Sequence, residues 1–227
     1  MTSSTIATGL LAYGMSGRIF HAPFLALNPG FELHAVVERH EKKAVNDYPK
    51  ITSYNSVDDL LADDTIELVI VNTPPYTHFE LAKKSLEAGK HVLVEKPMVA
   101  TSDQMKILFD LGRKMGRHVL VYQNRRWDSD FVSMKNVIES GRLGELIEVH
   151  FRFDRYKTAL SPKVFKEQKS YAASGLVYDL GPHLIDQAIS LFGKPLSFKK
   201  TTGIYRENSE VPDFRSEERR VGKECRP

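Results

Sequence analysis

The chain has 227 residues, enough for one full domain and part of a second, and is 41% hydrophobic and 27% charged, as in a globular protein with a buried core. Its formal net charge is +3, and the last thirteen residues alone carry five basic and three acidic side chains, so no basic patch argues for nucleic acid. The single cysteine, Cys225, excludes an internal disulfide and points to a reducing cytoplasm, while the apolar patch at residues 6–15 is too short to span a bilayer and lacks a basic leader.

The first apolar strand, predicted over residues 6–12, runs into "AYGMSGRIF". Ala12, Gly14 and Gly17 occupy the three small positions of a G-x-G-x-x-G loop, with Met15 and Ser16 between the last two. Such a loop lets backbone approach a pyrophosphate seated on a helix N-terminus. Alone, the match also fits any tight strand-to-helix turn. The context adds to it, because a second strand at 33–37 ends in Glu38, 21 residues after Gly17. An acid there can bond a ribose 2′-hydroxyl, which favours NAD because a carboxylate repels a 2′-phosphate. Arg39, Lys42 and Lys43 follow at once and offer a way to hold that phosphate, so NADP stays open.

A weaker strand is expected at 51–54, and a fourth at 68–71 ends in "VNTPPYTH". Thr73, Pro74 and His78 fall at its carboxyl end, where ligands of open α/β sheets bind; the plain alternative for His78 is a histidine near a helix start with no ligand. A helix then stops at Gly89, a strand at 92–94 ends in Glu95, Lys96 and Pro97, another helix stops at Gly116, and a strand at 119–122 completes the set. Continuous apolar strands alternating with helices predict a doubly wound parallel sheet over residues 1–122.

After Tyr122 the polar run "QNRRWDSD" reads as a domain crossing, followed by an amphipathic helix over 131–140. Leu146, Glu148, His150, Arg152 and Asp154 alternate at intervals of two, which predicts a half-solvated strand of an open, mainly antiparallel sheet. In "SGLVYDLGPHLIDQ", Asp179 and His183 are four apart, with Asp186 or Gln187 a turn further on; Pro182 predicts a helix start or kink that leaves Asp179 just outside. Taken alone, this pair also fits a satisfied polar pair. His21, His34 and His118 show no ligand spacing, so no metal site is expected.

Three features in this order carry a resemblance: the glycine loop followed by "FHAPF", then "GKHVLVEKP", then "DLGPHLID". Together, over residues 5 to about 205, they resemble the glucose–fructose oxidoreductase / inositol dehydrogenase (Gfo/Idh/MocA) family. The resemblance implies an N-terminal Rossmann domain, an α+β second domain, a nicotinamide cofactor, and a sugar, cyclitol or related polyol as substrate. It also implies subunit pairing through the open sheet into a homo-oligomer. Lys96 matches the lysine of the family's E-K-P motif, and Asp179 and His183 match its D-x-x-x-H pair. These three are the expected catalytic residues: His183 as the base, Lys96 to orient the hydroxyl, Asp179 to fix a neighbouring hydroxyl or the imidazole. The expected cofactor contacts are Ala12, Gly14, Met15, Ser16, Gly17, Glu38, Arg39, Thr73, Pro74, His78, Glu95 and Lys96. A non-catalytic NAD(P)-binding regulator on the same scaffold is the alternative.

Two departures stand out. Ala12 replaces the first glycine, and family-like sequence fades near Asp213, which makes residues 123–214 an incomplete second domain. Residues 215–227 read as the in-frame translation of a sequencing adapter, so the expectation is an artefactual tail on a truncated chain, which would leave the fragment inactive.

Overall fold

The first 122 residues form six parallel strands: β1 (Ile6–Leu10), β2 (Phe31–Val37), β3 (Thr52–Tyr54), β4 (Leu68–Val71), β5 (His91–Glu95) and β6 (Val119–Tyr122). Between them run α1 (Ala22–Leu27), α2 (Ala44–Asp47), α3 (Val57–Leu61), α4 (His78–Glu87) and α5 (Ser102–Met115). The computed structural model describes residues 5–220, in two units that divide between Tyr122 and Gln123. The strand order is β3-β2-β1-β4-β5-β6, which places the topological switch point between β1 and β4.

Alternation of side chains along each strand sends successive residues to opposite faces. Val69, Val71, Val92 and Val94 pack on one face with Leu60, Leu86 and Leu108 of α3, α4 and α5. Leu10, Val36 and Ile70 pack on the other with Ala22 and Leu25 of α1, Ala44 of α2, and Ile51. Burial on both faces is why these strands read as continuous apolar runs. Toward β5 and β6 the second face opens into an apolar cavity of about 330 Å³, lined among others by Phe24, Leu93, Leu120 and Tyr122. Helix ends follow the sequence signals. Thr101 accepts the Gln104 N–H ahead of α5, Ser56 does the same for Asp59 ahead of α3, and Gly116 ends α5 at φ +64°.

The second unit contains α6 (Ser129–Glu139), α7 (Leu176–Asp179), α8 (Gly181–Phe192) and an antiparallel pair, β7 (Ser197–Gly203) with β8 (Phe214–Arg220). The strand expected around residues 146–154 does not form. Alternation sets which face a side chain would take, but a strand also needs a ladder partner, and no strand pairs with this stretch among the described residues. The unit's two long loops are held together by Arg206, whose guanidinium donates to both Glu167 oxygens at 2.8 and 3.1 Å and to Asp213 Oδ2 at 3.0 Å. Of the predicted artefactual tail, residues 215–220 lie in β8, whereas 221–227 fall outside the described residues.

Candidate functional site

The turn after β1 is built around a residue that sequence reasoning passed over. Asn72, just past β4, accepts the Ala12 N–H at 3.0 Å and donates to the Ala12 carbonyl at 2.8 Å. This two-bond bracket holds the turn at the switch point, with alanine where a glycine was expected. A polar residue closing an apolar strand at that edge was the available signal. The chain then enters a π-helical turn, Gly17–His21. A methyl group on Gly17 would stand 2.4 Å from the Ala12 carbonyl oxygen, whereas one on Gly14 would meet nothing within 4 Å. Gly17 therefore permits the tight packing of the turn, and Gly14 leaves an open approach to the backbone, which is what a pyrophosphate requires. Beside it lies a groove of about 750 Å³ whose lining includes Tyr13, Gly14, Met15, Arg18, Lys43 and Tyr48. The residues present thus fit a dinucleotide.

Glu95, at the tip of β5, ties this loop down. Its Oε1 accepts Ser16 Oγ at 2.6 Å and His21 Nε2–H at 2.9 Å, and its Oε2 accepts the Lys96 N–H at 3.2 Å. Burial pushes the Glu95 carboxyl up, but the hydrogen bonds from His21 and Ser16 outweigh it and hold the group below the usual range. Lys96 follows directly, its peptide bond to Pro97 being cis.

At the tip of β4, the Thr73 and Thr77 hydroxyls share a 2.6 Å hydrogen bond, and Pro74 precedes a 3₁₀ turn, Pro75–Thr77. His78 is buried, with Nδ1 2.8 Å from the Pro97 carbonyl and Nε2 2.8 Å from the Thr73 carbonyl. The ring therefore bridges the ends of β4 and β5. Burial lowers its pKa despite both carbonyl contacts.

Glu38 sits at the end of β2, as expected, but its carboxylate turns into its own loop. Oε1 accepts the N–H groups of Lys43 at 2.8 Å and Ala44 at 3.2 Å, while Oε2 accepts Ser53 Oγ at 2.7 Å. Arg39 beside it is exposed. Lys42 donates to the carbonyls of Glu38, Ser53 and Tyr54 at 2.7, 3.2 and 3.0 Å.

In the second unit, α7 ends at Asp179 and α8 starts at Gly181 with Pro182 in its first turn, so the helix restarts between the two members of the D-x-x-x-H pair. His183 is buried in the first turn of α8. Asp179 Oδ2 accepts Lys166 Nζ at 2.8 Å, a contact across a loop that sequence spacing does not signal. Asp186 is engaged elsewhere, taking a two-pronged pair of 2.7 Å bonds from Arg126, and Gln187 Nε2 reaches the Arg125 carbonyl at 3.3 Å. Among the described residues no cluster of three or more His, Cys, Asp or Glu side chains could hold a metal, and no helix is long and apolar enough to cross a membrane.

The first unit thus gathers Ala12, Gly14, Met15, Ser16, Gly17 and Glu95 around one turn, Thr73, Pro74 and His78 at the end of β4, and Glu38 with Arg39 at the end of β2. A parallel sheet ordered 3-2-1-4-5-6 with an open glycine turn at its switch point defines a Rossmann-type dinucleotide-binding unit.

The family models agree. Residues 6–123 match the oxidoreductase family with an NAD-binding Rossmann fold, and residues 131–216 match the GFO/IDH/MocA C-terminal domain. An oxidoreductase of Schizosaccharomyces pombe, C115.03, is 46% identical over 85% of this chain and 53% of its own length. The scyllo-inositol 2-dehydrogenase (NADP(+)) IolW of Bacillus subtilis is 35% identical over 92% of this chain and 58% of its own. A crystal structure of an oxidoreductase from Bacteroides fragilis superposes with a TM-score of 0.84 at 43% identity, over 94% of this chain and 60% of that one. The chain belongs to the GFO/IDH/MocA oxidoreductase family, and it spans rather more than half the length of these relatives.

Proposed function

We propose that the whole protein is an NAD(P)-dependent dehydrogenase or reductase acting on a hydroxyl-bearing carbon of a sugar, cyclitol or related polyol. The observation that carries this reading is the glycine turn anchored to Glu95, because the same strand tip then presents Lys96. When bound, the nicotinamide supplies hydride transfer. The chain's own residues handle position and the proton: Lys96 orients the substrate hydroxyl and stabilises its developing negative charge, and His183 takes the proton. Asp179, already ion-paired with Lys166, holds a neighbouring hydroxyl or the imidazole. The Bacillus relative is named for an inositol, which supports a polyol. A small-molecule partner, a homo-oligomeric assembly and a cytoplasmic location complete the reading.

The test is Lys96→Ala in the whole protein, screened against sugars and polyols with both cofactors. Turnover should fall by roughly 10²–10⁴-fold while dinucleotide binding persists. Unchanged turnover would remove Lys96 from the mechanism.

A further inference from the structure

We propose that Lys166 is a specificity-determining residue: its ammonium and the Asp179 carboxylate together read one neutral hydroxyl beside the reacting carbon. This rests on the dehydrogenase reading above and deepens it to the hydroxyl pattern of the substrate. The two side chains come from separate segments, Lys166 from the end of a 3₁₀ turn (Val164–Lys166) and Asp179 from the end of α7. Gly175 sets their register. At φ +84° it donates its N–H to the Lys166 carbonyl at 3.1 Å, and its own carbonyl accepts the Asp179 N–H at 3.1 Å. A methyl group there would stand 3.0 Å from Val211 Cβ, in a backbone region that favours glycine. The next residue fixes the loop from its other side. Glu167 is only 7% exposed, accepts the Ser161 N–H at 2.7 Å, and is gripped by the Arg206 guanidinium, which also holds Asp213.

A surface lysine–aspartate pair needs no such frame, since pairs of that kind contribute little to stability. Here the backbone is set around both residues, yet their side chains, 34% and 38% exposed, stay within reach of a ligand. Lys166 Nζ donates to Asp179 Oδ2 at 2.8 Å. An ammonium has three N–H donors and a carboxylate about four acceptor positions, so the bond between them uses a fraction of that capacity. A hydroxyl suits such a pair, because it donates to the carboxylate while it accepts from the ammonium. A carbonyl oxygen cannot donate, and a ligand carboxylate meets Asp179 with like charge. A methylene covers both ions and bonds neither. The pair therefore selects a neutral substrate with adjacent hydroxyls over a deoxy analogue or a sugar acid.

The test is steady-state kinetics on the whole protein and its Lys166→Met and Lys166→Arg variants, with both cofactors. The probes are myo-inositol against a monodeoxyinositol, and D-glucose against 2-deoxy-D-glucose. The wild type should prefer the hydroxylated member of the pair it accepts. In Lys166→Met the KM for that member should rise about tenfold or more with kcat held within about threefold, and the deoxy analogue should suffer far less, so the preference shrinks about tenfold. Lys166→Arg keeps the cation and should recover most of the loss. An ion pair this exposed adds little to stability, so the melting temperature and the dinucleotide dissociation constant should hold in both variants. A lower melting temperature with the preference intact makes the pair structural and overturns the inference. A fall in kcat shared equally by both members of the probe pair also overturns it, by moving Lys166 from recognition to the chemical step. No turnover of any sugar or polyol by the wild type removes the reading above and this inference with it, whereas the two preceding outcomes leave that reading intact.

Discussion

Glu95 receives hydrogen bonds from Ser16, His21 and the Lys96 backbone, and so joins three parts of the chain through one carboxylate. Replacing it with glutamine keeps the shape but removes the charge that makes these bonds strong, and should cost about 1–3 kcal/mol of stability. The sign with pH follows from its lowered pKa. A carboxyl whose folded pKa lies below its unfolded value, ordinarily about 4.3, stabilises the fold above that value and loses this contribution as pH falls through the folded pKa. The denaturant midpoints of wild type and Glu95→Gln should therefore differ most near about pH 7 and converge toward about pH 3. A gap that stays constant across this range would show that the charge contributes nothing. His78 offers a second residue-scale test. Leucine in its place removes the ring that bridges the Pro97 and Thr73 carbonyls, one of which takes the single N–H of the neutral imidazole, and should destabilise the first unit by about 1–3 kcal/mol, read by urea denaturation.

The turn between β1 and α1 contains two glycines that should respond in opposite ways. In Gly17→Ala the added methyl meets the Ala12 carbonyl at 2.4 Å, so the turn must open and the protein should lose stability. In Gly14→Ala the methyl meets no protein atom, so the melting temperature should hold while dinucleotide affinity falls by about tenfold, since the group occupies the backbone approach. Equal melting temperatures with equal affinities would remove this turn from the cofactor site. The positions of these elements were legible because local signals set them: an apolar run makes a strand buried on two faces, and glycine marks where α5 ends at Gly116. Direction was not legible. Spacing from Gly17 placed Glu38 at the end of β2, yet its carboxylate could turn to the ribose or to its own loop, and that depends on Ser53 and the Ala44 N–H. The same limit applies to pairing. Residues 146–154 alternate as a strand would, but alternation does not supply a partner, and Lys166 reaches Asp179 across a loop with no periodic signal.

For the molecule as a whole, the first unit leaves part of one sheet face uncovered. Phe24 is 65%, Leu120 50% and Phe20 37% exposed around the apolar cavity by β5 and β6. Contiguous apolar surface of this kind favours association. The 227-residue chain should bind an apolar dye such as ANS and associate with rising concentration in sedimentation velocity, and replacing Phe24 and Leu120 with glutamine should weaken both. Dye binding and sedimentation unaltered by the double substitution would clear this face of the role.

All six strands of the parallel sheet, and every residue around the glycine turn, lie before Gln123. The sheet borrows nothing from later sequence, so it can close while translation continues. At about 5–20 residues per second, the ribosome needs roughly 5–20 s to add residues 123–227. A nascent protein therefore has time to capture its dinucleotide before the second unit has been synthesised, and bound cofactor would stabilise the newborn sheet by mass action.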